Sequence, residues 1–230
     1  MVKEIITDLE KLNSRCDEVN VRERNNEVRQ LVLDLKDTIR DNKNCVGLAA
    51  NQIGAHIRAF CINFNGDIRT FINPVITEAK GITLNRESCM SLPGREFIRP
   101  RNSQISVIYQ TPLGKTESVK LNGLAACVFQ HELDHLDGVT LVDLGMEIDE
   151  KFDKASEEER DELIKSYLDS LDLKQKEVQK DIEKDPELKQ IKDASLFMDK
   201  VISGEVKLEH EKVDKETSDK ITEKLKNTNK

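Results

Sequence analysis

The chain has 230 residues, of which 35% are charged and 4% aromatic, with no tryptophan and a formal net charge of −8. That acidity, without any Lys/Arg stripe carrying interleaved aromatics, argues against a nucleic-acid surface, and no apolar run approaches the roughly 18 residues of a membrane span. An acidic residue interrupts Met1-Val2-Lys3-Glu4 too early for a signal peptide, and Cys16, Cys45, Cys61, Cys89 and Cys127 form no CxxC pair, so a cytoplasmic protein with reduced thiols is expected.

In chain order, Val28, Leu31, Val32, Leu35 and Ile39 fall at helical spacing and predict a helix over 23–42, stopped by Asn42-Lys43-Asn44. A small-residue loop follows, Val46-Gly47-Leu48-Ala49-Ala50-Asn51-Gln52-Ile53-Gly54. Alternation then predicts strands over 57–63 and 67–72, joined as a hairpin across Asn65-Gly66. Residues 75–79, 94–101, 103–110 and 116–121 are further strand candidates, with a turn at Thr111-Pro112-Leu113-Gly114 and another at Pro93-Gly94. A helix over 123–136 comes next, with Asn122 as its cap and Gly138 as its stop. Helix, mostly antiparallel strands, then a central helix make an α+β fold.

Past Asp149 the charge density rises: 40 of the 80 residues in 151–230 are charged, against 40 of the first 150. Apolar residues persist at helical spacing: Leu163, Tyr167 and Leu171, then Val178 and Ile182, then Leu188, Ile191, Ala194 and Met198. Asp185-Pro186 and Ser203-Gly204 mark breaks. The expected organisation is a catalytic domain over 1–149 and a charged helical extension over 150–230.

The chemistry is concentrated in Gln130-His131-Glu132-Leu133-Asp134-His135. Histidines at i and i+4 stand one helical turn apart and can face one metal ion, with Glu132 beside it to carry the proton of a water. A hydrolytic metal also needs a third protein ligand and an open position. Asp134 points away from the metal. Glu87 is expected to pair with Arg99 or Arg101.

Three blocks, Val46 to Gly54, Glu87-Ser88-Cys89-Met90-Ser91-Leu92-Pro93-Gly94, and the His-Glu-x-x-His helix, occur in the order and spacing of peptide deformylases, and the resemblance covers about residues 1–145. Two positions depart from the family pattern: Cys45 and Ser88 stand where glycine is usual. The resemblance implies a metallohydrolase that removes the N-terminal formyl group from formyl-methionyl nascent peptides and releases formate, working near the ribosome. It implies Cys89 as third ligand beside His131 and His135, with Fe2+ as the native metal, one per chain; the donor set also accommodates Zn2+, Ni2+ or Co2+. Glu132 is then base and acid in turn, and the Gln52 side chain and the Met90 N–H are donors to the oxyanion. The backbone of Val46 and Gly47 can pair with the peptide as an added strand. Leu124, Cys127 and Val128 lie on the metal-facing side of the helix, where either a methionine pocket or ordinary core packing accounts for them.

Two other readings compete. A zinc endopeptidase needs a further His or Glu ligand downstream, and the only later histidine is His210, in the charged extension. A binding protein that keeps the fold without catalysis, its helical extension contacting a partner, is favoured only by Ser88 and the extension itself.

Overall fold

The computed structural model describes the backbone of residues 1–184 and the side chains of residues 1–172. Expectations at Asp185-Pro186, from Leu188 to Met198, and at Ser203-Gly204 lie outside the described residues, as does His210.

After a single helical turn, α1 (Leu9–Leu12), comes α2 (Asn25–Asp41), whose stripe of Val28, Leu31, Val32, Leu35 and Ile39 is buried as one face. β1 (Gly47–Ala49) and a 3-10 turn over Ala50–Ile53 carry the first functional loop. β2 (Ala59–Phe64), β3 (Asp67–Cys89), β4 (Leu92–Gln110) and β5 (Thr116–Asn122) follow. With β1 they form an antiparallel sheet in the order β1-β2-β3-β4-β5, and β6 (Met146–Glu147) adds to β4. The central helix α3 (Leu124–Leu136) leads into α4 (Leu141–Leu144), α5 (Glu150–Lys154) and α6 (Glu157–Lys184). The fold is α+β.

The two-residue side-chain period of β2 divides the core between α2 and α3. Ala59 and Cys61 pack into the cluster that holds the α2 stripe, while Phe60 and Ile62 pack with Phe129 and Leu136 of α3. Three rings knit the second cluster. Phe129 meets Phe60 and Phe71 edge-on, at centroid distances of 5.0 and 5.2 Å, and Phe60 lies 5.3 Å from Phe71. This packing fixes the roll of α3, and therefore the direction in which its histidines point.

The β2–β3 hairpin turns at Asn65 (φ 53°) and Gly66 (φ 99°), the double positive φ that matches strand twist. The strands that follow differ from expectation in extent. Residues 67–72 and 75–79 belong to one strand, β3, that runs on to Cys89. The segments 94–101 and 103–110 likewise merge in β4. Asn73-Pro74 does not end β3. Asn73 takes φ 47° at a register shift, and its side chain bonds both Val19 N–H and Val19 C=O, so the bulge is held from outside the sheet. Nor is Pro93-Gly94 the turn after Cys89: Cys89 pairs with Leu92, so the chain reverses at Met90–Ser91 and Pro93 sits near the start of β4. Asn122 does not cap α3, because it is the last residue of β5; the cap position is Gly123, without a side-chain bond. Gly138 ends α3 as expected, at φ 73°, and a Cβ there would come within 2.8 Å of the Asn13 carbonyl.

Met1–Gln175 forms one compact unit, and Lys176–Lys230 a second, of which residues 176–184 are helical. In the first unit, α6 turns Ile164, Tyr167, Leu168 and Leu171 inward and leaves Leu163 exposed, so the inward face is rotated from the expected stripe. The Tyr167 hydroxyl donates to the Leu144 carbonyl at 2.6 Å. Among the described residues, no helix is long and apolar enough to cross a membrane.

Phe129→Ala removes the ring common to two of these edge contacts at a fully buried position. It should destabilise the protein by about 3–5 kcal/mol, read as a lower midpoint in urea unfolding.

Candidate metal centre

His131 and His135 sit on the same side of α3, with ring centroids 5.1 Å apart. Cys89, the last residue of β3, is brought beside them by the Met90–Ser91 reversal, and its Sγ lies 3.2 Å from His135 Nε2. One ligand atom from each of the three residues falls within 4.8 Å of the others. A tightly turned hairpin end and one helical turn thus make three donors converge, leaving a fourth side open to a cavity of about 570 Å³.

A buried ion pair stands behind the ligands. Arg101 of β4 donates Nε and Nη2 to the two oxygens of Glu87 at 2.8 and 2.9 Å, and its Nη1 donates to Asp134 at 2.5 Å. Glu87 Oε2 lies 2.9 Å from His131 Nδ1, which fixes the ring so that Nε2 faces the donor cluster. Arg101 is therefore the partner of Glu87, and Arg99 instead donates to the Leu144 carbonyl. Burial opposes ionisation of Glu87, yet its bonds to Arg101 and His131 bring the carboxyl down to about 2.

Gln52 is pinned from both ends. Its Oε1 accepts from Ala49 N–H at 2.9 Å, and its Nε2 donates toward Ser91 Oγ at 3.1 Å and Cys89 Sγ at 3.4 Å. The amide is thereby oriented with its N–H groups toward the donor cluster. Glu132 is 3% exposed, and its Oε2 is buried without a hydrogen-bond partner among the described residues. Burial pushes its carboxyl up to about 7. Gly47 makes room for it: a Cβ at Gly47 would lie 2.3 Å from Glu132 Oε1.

These features fit a divalent cation. Burial and the charges of His131 and Arg101 push His135 well below the usual imidazole range, so it stays a neutral donor. His131 is buried too, but bonds to Cys89 and Glu87 hold it well above that range. A cation in the donor cluster would displace the proton that His131 directs at the Cys89 sulfur, while the Nδ1–H stays on Glu87. Two imidazoles and a thiolate are a donor set suited to zinc, nickel, cobalt or ferrous iron.

Ten of the eleven expected site residues line this cavity, namely Val46, Gly47, Gln52, Cys89, Met90, Leu124, Cys127, Val128, His131 and Glu132; His135 does not line it but belongs to the donor cluster with Cys89 and His131. Nothing local in the chain marks Ser91 as the partner of Gln52, because a serine in a turn carries no signature. Cys45 lines the cavity as well. Burial pushes its thiol up to about 12, so it keeps its proton near neutrality.

A His-Glu-x-x-His helix, a hairpin-borne cysteine and a buried carboxylate at an open cavity define a metal-dependent hydrolase. The polypeptide deformylase family profile matches residues 2–151, and the chain belongs to that family. It is 39% identical over 120 residues to the peptide deformylase of Dictyoglomus turgidum, a match spanning 52% of this chain and 78% of that protein. Among solved structures, the Thermotoga maritima peptide deformylase superposes with a TM-score of 0.58 at 31% identity, over 62% of this chain and 97% of that one. A Legionella pneumophila peptide deformylase gives 0.57 at 28% identity, over 76% and 98%.

Cys89→Ala removes the only sulfur donor of the cluster. The purified variant should retain well under a tenth of the metal bound by the parent protein, measured by elemental analysis after dialysis.

Proposed function

We propose that the cavity deformylates formyl-methionyl peptides with one Fe2+ per chain held by Cys89, His131 and His135, and with Glu132 as the proton carrier. The observation that carries this reading is the buried carboxyl of Glu132, next to His131 on α3, which lines the cavity and whose Oε2 has no hydrogen-bond partner among the described residues. A cation held by Cys89, His131 and His135 would supply Lewis acidity toward water and the formyl oxygen near neutral pH. Glu132 takes the proton of the attacking water and passes it to the leaving nitrogen, so that formate and a free amine result. A carboxyl raised by burial suits both halves of that task, and a neighbouring cation favours its ionised form at the start.

Gln52 Nε2 and the Met90 N–H act as donors to the oxyanion. Both are neutral donors, so neither brings a charge that would compete for the metal. Leu124 and Val46 are 66% and 52% exposed, more than core packing accounts for, and both line the cavity. With buried Cys127 and half-buried Val128 they form the wall for the methionine side chain. The backbone of Val46 and Gly47, at the end of the sheet order, receives the peptide as an added strand. A Met-Ala-Ser-bound structure of an Acinetobacter baumannii deformylase, 26% identical with a TM-score of 0.58, shows a peptide of this kind bound by that protein. Nascent chains in the cytoplasm, close to the ribosome, are the substrates this reading implies.

An endopeptidase reading needs a further downstream ligand, and the donor set here is complete with Cys89. The catalysis-free binding reading leaves the buried Glu132 carboxyl without a purpose.

Glu132→Gln should keep its metal and lose deformylation of formyl-Met-Ala-Ser by at least about 10²–10⁴-fold, the usual worth of a positioned acid–base group. Parallel metal analysis and rate measurement check both halves. The division at 149/150 is tested by a chain ending at Asp149. It should keep deformylation within about tenfold per bound metal and melt at a lower temperature, because Ile164, Tyr167 and Leu168 no longer cover their part of the first unit.

A further inference from the structure

Cys45 makes a contact that the reaction scheme above does not use. Its Sγ lies 3.1 Å from the Gly47 carbonyl oxygen, two residues on. The direction of that carbonyl follows from the sheet. In the antiparallel β1–β2 pair, Gly47 stands opposite Ile62, and Asn63 N–H donates to the Val46 carbonyl at 2.8 Å. Successive carbonyls of a strand point to opposite sides. Val46 C=O faces β2, so Gly47 C=O faces the other side, the free edge of the sheet. Cys45, Val46 and Gly47 all line the cavity there, and the unpartnered, buried carboxyl of Glu132 packs against the Gly47 Cα.

Resting on the deformylase reading, we propose that the Cys45 thiol is a positioning residue: its S–H holds the Gly47 carbonyl aimed into the cavity as the acceptor for a substrate amide N–H. A carbonyl oxygen has two lone pairs and a thiol is a weak donor. The contact therefore orients the acceptor and leaves it able to take a second hydrogen. The amide N–H it receives lies beside Glu132, so the acceptor fixes the peptide where the proton is delivered. Cys45 also belongs to the apolar cluster under α2, and a packing role and a donor role are separable by substitution.

The test is steady-state kinetics of the full-length, metal-loaded enzyme on formyl-Met-Ala-Ser, comparing the parent with Cys45→Ser, Cys45→Val and Cys45→Ala. Serine keeps a donor, valine keeps apolar bulk without one, and alanine keeps neither. An acceptor that contacts the peptide equally before and during reaction changes KM and not kcat. The serine variant should therefore stay within about twofold of the parent in KM. Valine and alanine should each raise KM about three- to tenfold, with kcat within twofold and metal content unchanged. Valine behaving like the parent while serine is impaired would assign Cys45 to packing and overturn the proposal. So would a fall in KM on loss of the thiol, which would make the S–H a competitor of the substrate. If valine fails to fold, the contrast of serine with alanine decides on the same terms. A parent enzyme that binds metal but does not deformylate would overturn the functional reading first, and this inference with it.

Discussion

Glu87 is the carboxylate on which the rest of the site depends. It lies on β3 two residues before the ligand Cys89, it is clamped by Arg101 from β4, and it holds the ring of His131 on α3. Two consecutive strands and a helix 44 residues further on therefore meet at one buried charge. Taking such a pair out of water is expensive, and removing one partner of a buried pair typically costs about 3–5 kcal/mol. What the molecule gains is orientation. With Nδ1 committed to Glu87, His131 presents Nε2 as a ligand, and the second contact of Arg101, to Asp134, locks the outer side of the same helix to the same strand.

A second constraint is the depth of Glu132. A carboxyl buried this completely is tolerable only where a partner arrives with the reaction, and its surroundings are cut to leave that space. Gly47 has no side chain because Glu132 occupies the volume, and Gln52 cannot rotate away because Ala49 holds its oxygen. In the proposed reaction, the oxyanion donor Gln52 and the peptide-binding edge come from one short stretch, 45–52, lying against the helical turn that carries the base Glu132.

Local signals in the sequence were legible. The i, i+4 histidines, the α2 stripe and the Asn65-Gly66 turn each depend on neighbours in the chain, and each appears where expected. What depended on distant partners was harder to read. Arg99 and Arg101 are two residues apart and share a face of β4, so choosing between them requires knowing where along that face α3 brings Asp134 and His131. The continuity of β3 through Asn73-Pro74 requires Val19, more than fifty residues away, to hold the bulge. The reversal at Met90–Ser91 was masked by the stronger turn signature of Pro93-Gly94. Likewise Asn122, a good cap by type, was already committed to pairing with Gln104 in the sheet.

The central claim is that one sulfur and two imidazole nitrogens hold a catalytic metal. X-ray absorption at the zinc edge, on protein loaded with one zinc per chain, tests it most directly. The account predicts one sulfur at about 2.3 Å and two nitrogens at about 2.0–2.1 Å, with the remaining position filled by a light atom. A shell without sulfur, or one with more than two imidazole nitrogens, would contradict it.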